Sequence, residues 1–355
     1  MASPSRLAAA PASRHSFPLV ELRARIVSLA LAEEFTIARA SRTTQELVEL
    51  EVEHEGTVGL GEAAPVYYRG ETAESAAEFL TEAAPALVGD DPFALEDIGQ
   101  RVADVEGAAG AKAALDAALH DWIGKRLGLA VWRLLGLSPV APPTSYTIGI
   151  DTLAGTRQRA RRAREFRALK VKVGGPDDMA RVEAVRAESE APIRVDANEG
   201  WTLESAREIV PALVEADVEL VEQPFPAADL ASFRAVRELE PRPPIVVDEG
   251  CHDLADVAGV AGYADGINVK LAKSGGLREA LRMVHAARAL SLRVMLGCMV
   301  ESQLGVAPAA AIASLADWTD LDGHLLLADQ PYTGLELRDG SVVPGPGPGL
   351  GVTRA

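Results

Sequence analysis

The sequence predicts an α/β fold: a (β/α)8-type TIM barrel preceded by an α+β segment. Three observations carry that reading. Eight short Val/Ile/Leu-rich runs, separated by Ala-, Glu- and Arg-rich stretches, fill the chain from about residue 145 onward. Charged residues at the run ends recur at a near-constant step, with Lys172, Asp196, Glu222, Asp248 and Lys270 lying 24, 26, 26 and 22 residues apart. Near-continuous apolar strands with helices between them imply a parallel sheet covered on its outer face. Eight such units over about 180 residues fit a closed barrel somewhat shorter than the usual ~250. The rival is an open doubly wound sheet, which would bring a Gly-rich phosphate turn after its first strand; GIDTLAG at 149–155 matches that fingerprint poorly.

Taken in order, residues 1–15 place Arg6 and Arg14 in Ala-rich sequence without a continuous apolar stretch, and read as an extension rather than a signal peptide. Apolar and polar residues alternate over 19–31 and 46–54, the period-two signature of a half-buried antiparallel pair. After GLGEAAP the pattern turns helical over 72–88. A further helix is expected with Asp91 as N-cap and Pro92 in its first turn, and another over 108–128. The α+β segment ends near Leu137, and Pro139, Pro142 and Pro143 mark a link. The barrel runs then follow at 145–150, 168–173, 192–197, 218–223, 244–249, 266–271, 292–298 and 320–327.

Composition narrows the function. With 35 Lys+Arg against 52 Asp+Glu the formal charge is −17, which repels phosphate backbones and anionic lipid, so neither nucleic acid nor membrane is an expected partner. No run of about 18 apolar residues occurs. Cys251 and Cys298 make no disulfide framework and suit a reducing, cytoplasmic setting.

In a barrel the C-terminal strand ends share one mouth. There the third, fourth and fifth runs offer Asp196, Glu222 and Asp248. Three converging carboxylates repel unless they are separated or a hard divalent ion holds them, and all-oxygen ligation suits Mg2+. A metal-dependent hydrolase would ordinarily want His among those ligands, and none of the three is His. Lys170 and Lys172 on the second run point to one side, and Lys270 lies on the sixth, two residues after Asn268. Runs two and six are diametrically opposite in an eight-strand barrel. One amine on each side of a substrate is what two-base 1,1-proton transfer requires, with each amine drawn toward neutrality by Mg2+ and a neighbouring lysine.

These residues resemble the enolase superfamily, specifically the dipeptide epimerases (L-Ala-D/L-Glu epimerase-like) of its muconate-lactonizing subgroup. The motifs are KVK at 170–172, DANEGW at 196–201, EQP at 222–224, DEGCH at 248–252, NVKLAKSGGL at 268–277, MLGCMVES at 295–302 and DLDG at 320–323. The resemblance implies a capping α+β domain over 17–137 after an extension at 1–16, a catalytic barrel over 138–329, and a tail over 330–355 returning to the cap. It further implies one Mg2+ held by Asp196, Glu222 and Asp248, Lys172 and Lys270 as acid/base pair, and Lys170 beside the enediolate formed from the substrate carboxylate. Asn198 and Glu249 would orient the metal acids. The subgroup rests on Lys270, since the mandelate-racemase group would show a His base; His285 lies in a helical stretch, and His252 is given no role.

Asp320 and Asp322 form the Asp-x-Asp that would hold a dipeptide's α-ammonium. If DLDG is only a turn, a muconate-type cycloisomerase, o-succinylbenzoate synthase or N-acyl amino acid racemase shares the lysines and metal. A non-catalytic peptide-binding barrel is the reading from another class, against which the intact lysines and acids argue. Thr147, Met299 and Glu301 are further expected substrate contacts. In the loop LAEEFTIARASRT at 31–43, Arg39 or Arg42 favours an acidic dipeptide side chain, and Glu33 and Glu34 favour a neutral or cationic one if they reach the pocket. The expected partner is a small dipeptide; a homo-oligomer is compatible with the sequence but is not read from it.

Overall fold

The computed structural model describes residues 20–38 and 40–355. The extension at 1–16 and Arg39 therefore lie outside the described residues. The chain opens with a long hairpin, β1 (Glu21–Ile37) and β2 (Ala40–His54), paired antiparallel from Glu21↔Glu53 to Ile37↔Ala40, with a register shift between Ala30 and Phe35. The stretch 31–43, expected as a loop, is the far end of this hairpin. A third strand, β3 (Thr57–Ala63), pairs with β2 where the sequence suggested only a connection. Its glycines explain the difference: a side chain at Gly59 would stand 2.1 Å from the Ala118 carbonyl oxygen, and one at Gly61 2.1 Å from that of Ala114. The strand thus lies directly on the helix Ala109–Leu127, which ends at Gly128 in the left-handed conformation.

The preceding helix runs Leu95–Ala103 and not from Pro92. Asp91 instead accepts the Phe93 N–H at 2.9 Å, spending its side chain on a local turn. Val48, Leu50, Leu80, Ile98, Ala111, Leu115 and their neighbours fill the core between this sheet and its helices.

The second layer is an eight-stranded parallel sheet in chain order: β4 (Tyr146–Ile148), β5 (Leu169–Lys172), β6 (Ile193–Asp196), β7 (Val218–Glu222), β8 (Ile245–Val247), β9 (Gly266–Lys270), β10 (Arg293–Gly297) and β11 (Trp318–Asp320). A parallel bridge between Thr144 and Thr319 brings the two edges together, making a (β/α)8-type TIM barrel. The eighth strand corrects the sequence reading. It ends at Asp320 instead of beginning there, because Trp318, Thr319 and Asp320 pair with Met295, Leu296 and Gly297, and Gly323–Leu326 then coils into a 3-10 turn.

Leu220, Val246, Met295 and Trp318 form a buried cluster of their own. Each stands two residues before a strand-end position, so the cluster shares the inward face with Glu222, Asp248 and Asp320 and floors the site. Beyond Gln330 the chain returns to the cap: Tyr332–Thr333 pairs with Thr353–Arg354, and Arg354 reaches Glu51 at 2.8 Å and Glu49 at 3.3 Å on β2. Among the described residues no helix is long and apolar enough to cross a membrane.

Candidate active site

The hairpin end and the strand ends enclose a cavity of about 430 Å3. The cap contributes Phe35, Ile37, Arg42, Gln45, Val66 and Tyr67 to its wall. The hairpin is seated on the barrel: the Thr36 carbonyl accepts the Ile150 N–H at 2.9 Å, and Glu33 pairs with Arg159 at 2.6 Å and with Arg162. Glu33 is therefore turned to the barrel's outer helix, and Glu34 accepts the Ser41 hydroxyl at 2.5 Å; neither lines the cavity, whereas Arg42 does.

From the barrel, Thr147, Lys170, Lys172, Asn198, Asp248, Glu249, Lys270, Met299, Asp320 and Asp322 all line the cavity. Asp196 and Glu222 lie just beneath, fully buried. Glu301 does not reach it. Its Oε1 folds back to accept the Met299 N–H at 3.1 Å, and the side chain points toward the cap strand β3.

Burying this much charge is costly unless each group finds a partner. Lys172 donates to Asp196 at 2.6 Å, and Lys270 to Asp248 at 2.7 Å. Lys170 stands 3.0 Å from Asp196, 2.7 Å from Glu222 and 2.7 Å from Asp320. Burial pushes the Lys270 amine down, but Asp248 and Glu222 outweigh it and hold the amine above its ordinary value. The rise comes from direct contact with the Asp248 carboxylate, whereas the expected fall toward neutrality rests on a bound Mg2+. Burial likewise raises Asp248, and Lys270 and Lys273 overcome this and hold it well below the carboxylate range.

The three acids stand on lysines in this arrangement, and among the described residues no group of three His, Cys, Asp or Glu side chains is gathered as a coordination shell. Their chemistry nonetheless fits a hard divalent cation. All donors are carboxylate oxygens, and burial followed by repulsion from Asp196 pushes Glu222 up to about 7, a surplus of negative charge that a cation relieves. Asn198 donates to Glu249 at 3.2 Å, its backbone N–H reaches Asp196 at 2.9 Å, and its buried Oδ1 has no hydrogen-bond partner.

The Asp-x-Asp pair divides its duties. Asp320 is taken by Ser145 at 2.6 Å and Lys170 at 2.7 Å, while Asp322 is held by Thr147, whose N–H it accepts at 2.6 Å and whose side chain also bonds to it. Burial, then Asp320, pushes the Asp322 carboxyl up to about 7.

Three supporting residues are given no role by the sequence. Lys273, 2% exposed, donates to Asp248 Oδ1 at 2.5 Å and to the carbonyls of Asp248, Cys251 and Asn268. Gln223 Oε1 accepts the Asp248 and Gly250 N–H groups, and Asn268 donates to Glu222 at 2.8 Å. The signal for Lys273 was a second lysine three residues after Lys270 within an otherwise apolar segment.

A mouth where lysines from β5 and β9 face carboxylates from β6, β7 and β8 defines a class, and sequence comparison agrees with it. Residues 19–136 match the mandelate racemase/muconate lactonizing enzyme N-terminal domain, and residues 153–354 match the enolase C-terminal domain-like family. The chain belongs to the mandelate racemase/muconate lactonizing enzyme family of the enolase superfamily, and it is an isomerase of the racemase and epimerase kind.

Within that family its relatives include dipeptide epimerases. It is 40% identical over 330 residues to the L-Ala-D/L-Glu epimerase of Bacteroides thetaiotaomicron, covering 92% of this chain and 86% of the relative. It is 35% identical over 326 residues to a hydrophobic dipeptide epimerase of a Flavobacteria bacterium, covering 89% and 93%. Among solved structures it resembles the Enterococcus faecalis dipeptide epimerase complexed with Mg and L-Leu-L-Tyr, with TM-score 0.87 and 32% identity over 95% of this chain and 100% of that one.

Proposed function

We propose that this protein is a Mg2+-dependent dipeptide epimerase that inverts the α-carbon of the C-terminal residue. The observation that carries this reading is the placement of Lys172 and Lys270 on opposite strands, both lining one cavity whose third side is Asp320 and Asp322. A divalent cation held by Asp196, Glu222 and Asp248 would supply positive charge to the substrate carboxylate, which gains a second negative charge when the α-proton leaves. Lys172 Nζ or Lys270 Nζ takes that proton from one face, and the other amine returns a proton to the opposite face. Lys170, buried against three carboxylates, stays charged and adds its field on the same side as Lys172. Asp322, less occupied than Asp320, accepts the α-ammonium and sets the register of the dipeptide.

Among the described residues Arg42 is the cation that the hairpin presents to the cavity, and it supports an acidic second side chain such as that of L-Ala-D/L-Glu. A second reading has its own observation. Arg42 already donates to Gln45 at 2.8 Å and lies 4.9 Å over the Tyr67 ring, among Phe35, Ile37 and Val66, so an apolar side chain also fits.

Proton NMR of L-Ala-L-Xaa dipeptides in D2O with enzyme and Mg2+ tests the reading. Loss of the C-terminal α-proton signal, abolished by a chelator and restored by Mg2+, is the expected result. No exchange in any dipeptide would overturn it and move the search to cycloisomerase, synthase and N-acyl amino acid substrates.

A further inference from the structure

Behind the cavity wall, two buried carboxyl groups from different layers meet without a cation. Glu62 on β3 of the cap accepts the Ser302 N–H at 2.8 Å through Oε1, and its Oε2 shares a hydrogen bond with the Ser302 hydroxyl. Ser302 Oγ in turn accepts the Leu304 N–H at 3.1 Å, capping the helix Gln303–Ile312. Glu301 turns to the same place: a side chain at Gly305 would meet Glu62 Oε1 at 2.5 Å and Glu301 Oε2 at 3.1 Å, so both carboxyl groups converge on that glycine.

The void they share is about 10 Å3, which admits no hydrated cation. Among the described residues, neither Glu62 nor Glu301 has an ion-pair partner. The other groups that face Glu62 offer no help. Glu49 on β2 is held by Arg25 at 2.6 Å and Arg354 at 3.3 Å, and Tyr332 on the tail is a phenol. Lys270 faces Glu301 and is already committed to Asp248. Two uncompensated buried carboxylates side by side cannot both ionise cheaply.

We propose that Glu62 is a positioning residue for the substrate cavity and works as a neutral carboxylic acid, fixing Ser302 and with it the wall formed by Met299 and Val300 from the cap side. Burial, only partly offset by the Ser302 bonds, also pushes its carboxyl up to about 8. Because the folded value is raised, the contribution to stability is full below the ordinary 4.5 and is lost as pH rises through about 8. Deprotonation would leave two anions at the joint between cap and barrel, and the wall would loosen there.

The kinetic half of this inference rests on the dipeptide reading; the stability half does not. The experiment compares wild type, E62Q and E62A as full chains. Thermal unfolding is followed from about pH 4 to about pH 9.5, and kcat and KM for L-Ala-L-Glu from about pH 6 to about pH 9.5. Glutamine reproduces the neutral acid's donor and acceptor, so E62Q should keep the wild-type midpoint at about pH 4 and decline less than wild type from there to about pH 8, the remaining decline belonging to Glu301 and Asp322, which burial also pushes up to about 7. E62Q should also hold its KM steady where that of wild type climbs. E62A should raise KM about tenfold at every pH with kcat changed far less. Declines of equal size in wild type and E62Q would overturn the proposal, as would an E62Q protein already destabilised at about pH 4. If no dipeptide is turned over, the functional reading fails, and the unfolding curves still decide the state of Glu62.

Discussion

Lys270 Nζ donates to Asp248 Oδ2 at 2.7 Å, so the amine of β9 rests on the carboxylate of the neighbouring strand end. Across the barrel Lys172 makes the same contact with Asp196 at 2.6 Å. Each amine thus has a resting partner that it must leave, or share with a cation, before it can accept a proton. Lys172→Ala and Lys270→Ala should each lower epimerisation by about 10²–10⁴-fold. Because the amines serve opposite faces, each variant should still exchange the α-proton of one stereoisomer in D2O, a different one for each. Full activity in both variants would end the two-base account.

Lys273 carries a structural load. It is buried and holds one carboxylate oxygen together with three backbone carbonyls, two in the turn after β8 and one within β9. Lys273→Met removes the charge while keeping most of the volume, leaving the Asp248 carboxylate with Lys270 and taking a charged donor from three backbone carbonyls. Breaking a buried pair on one side costs about 3–5 kcal/mol, so a large fall in the unfolding midpoint is expected. A midpoint within error of wild type would show that Asp248 does not need this second amine.

Much of this was legible because barrel geometry converts sequence spacing into position. A step of 22 to 26 residues places Lys172, Asp196, Glu222, Asp248 and Lys270 at one mouth. What stayed hidden depends on contacts between segments far apart in the chain. β3 is absent from the sequence reading because Gly59 and Gly61 depress strand propensity, yet glycine is what lets the strand lie on the helix Ala109–Leu127. The eighth strand was expected to begin at Asp320, where it ends, because the apolar run follows Asp-Leu-Asp-Gly, and only pairing with β10 shows that Asp320 closes the strand. Glu301 looked like a cavity residue because it follows Met299 by two, but the chain leaves β10 at Gly297, and strand alternation no longer applies beyond it.

Arg42 should decide between acidic and apolar substrates. Arg42→Leu removes the hairpin's cation from a wall already lined by Phe35, Ile37 and Val66. The expected outcome is a fall of about 10–100-fold in kcat/KM for L-Ala-L-Glu, as for loss of a charge-assisted pair, with apolar dipeptides unchanged or improved. An equal loss for both classes would mean that Arg42 supports the hairpin through Gln45 and Tyr67 and does not read the substrate.

Asp322 gives the reaction a pH dependence whose sign follows from its surroundings. Burial and the adjacent Asp320 push its carboxyl up to about 7, from an ordinary value of 3.8. A raised acid contributes stability that is full below 3.8 and lost as pH rises through about 7, so at neutral pH the empty site carries part of this cost. A dipeptide ammonium offsets that cost by pairing with the ionised form. Binding should therefore weaken on the acid side: KM for a dipeptide should rise toward about tenfold per pH unit below 7, provided the enzyme stays folded. Asp322→Asn should bind weakly at every pH and lose this acid limb, while proton exchange in N-acyl amino acids, which lack the ammonium, should be unaffected by the substitution. Measuring KM from about pH 5.5 to pH 8 in both proteins separates the outcomes. An acid limb that persists unchanged in the asparagine variant would assign it to another group and return Asp322 to the role of a turn residue.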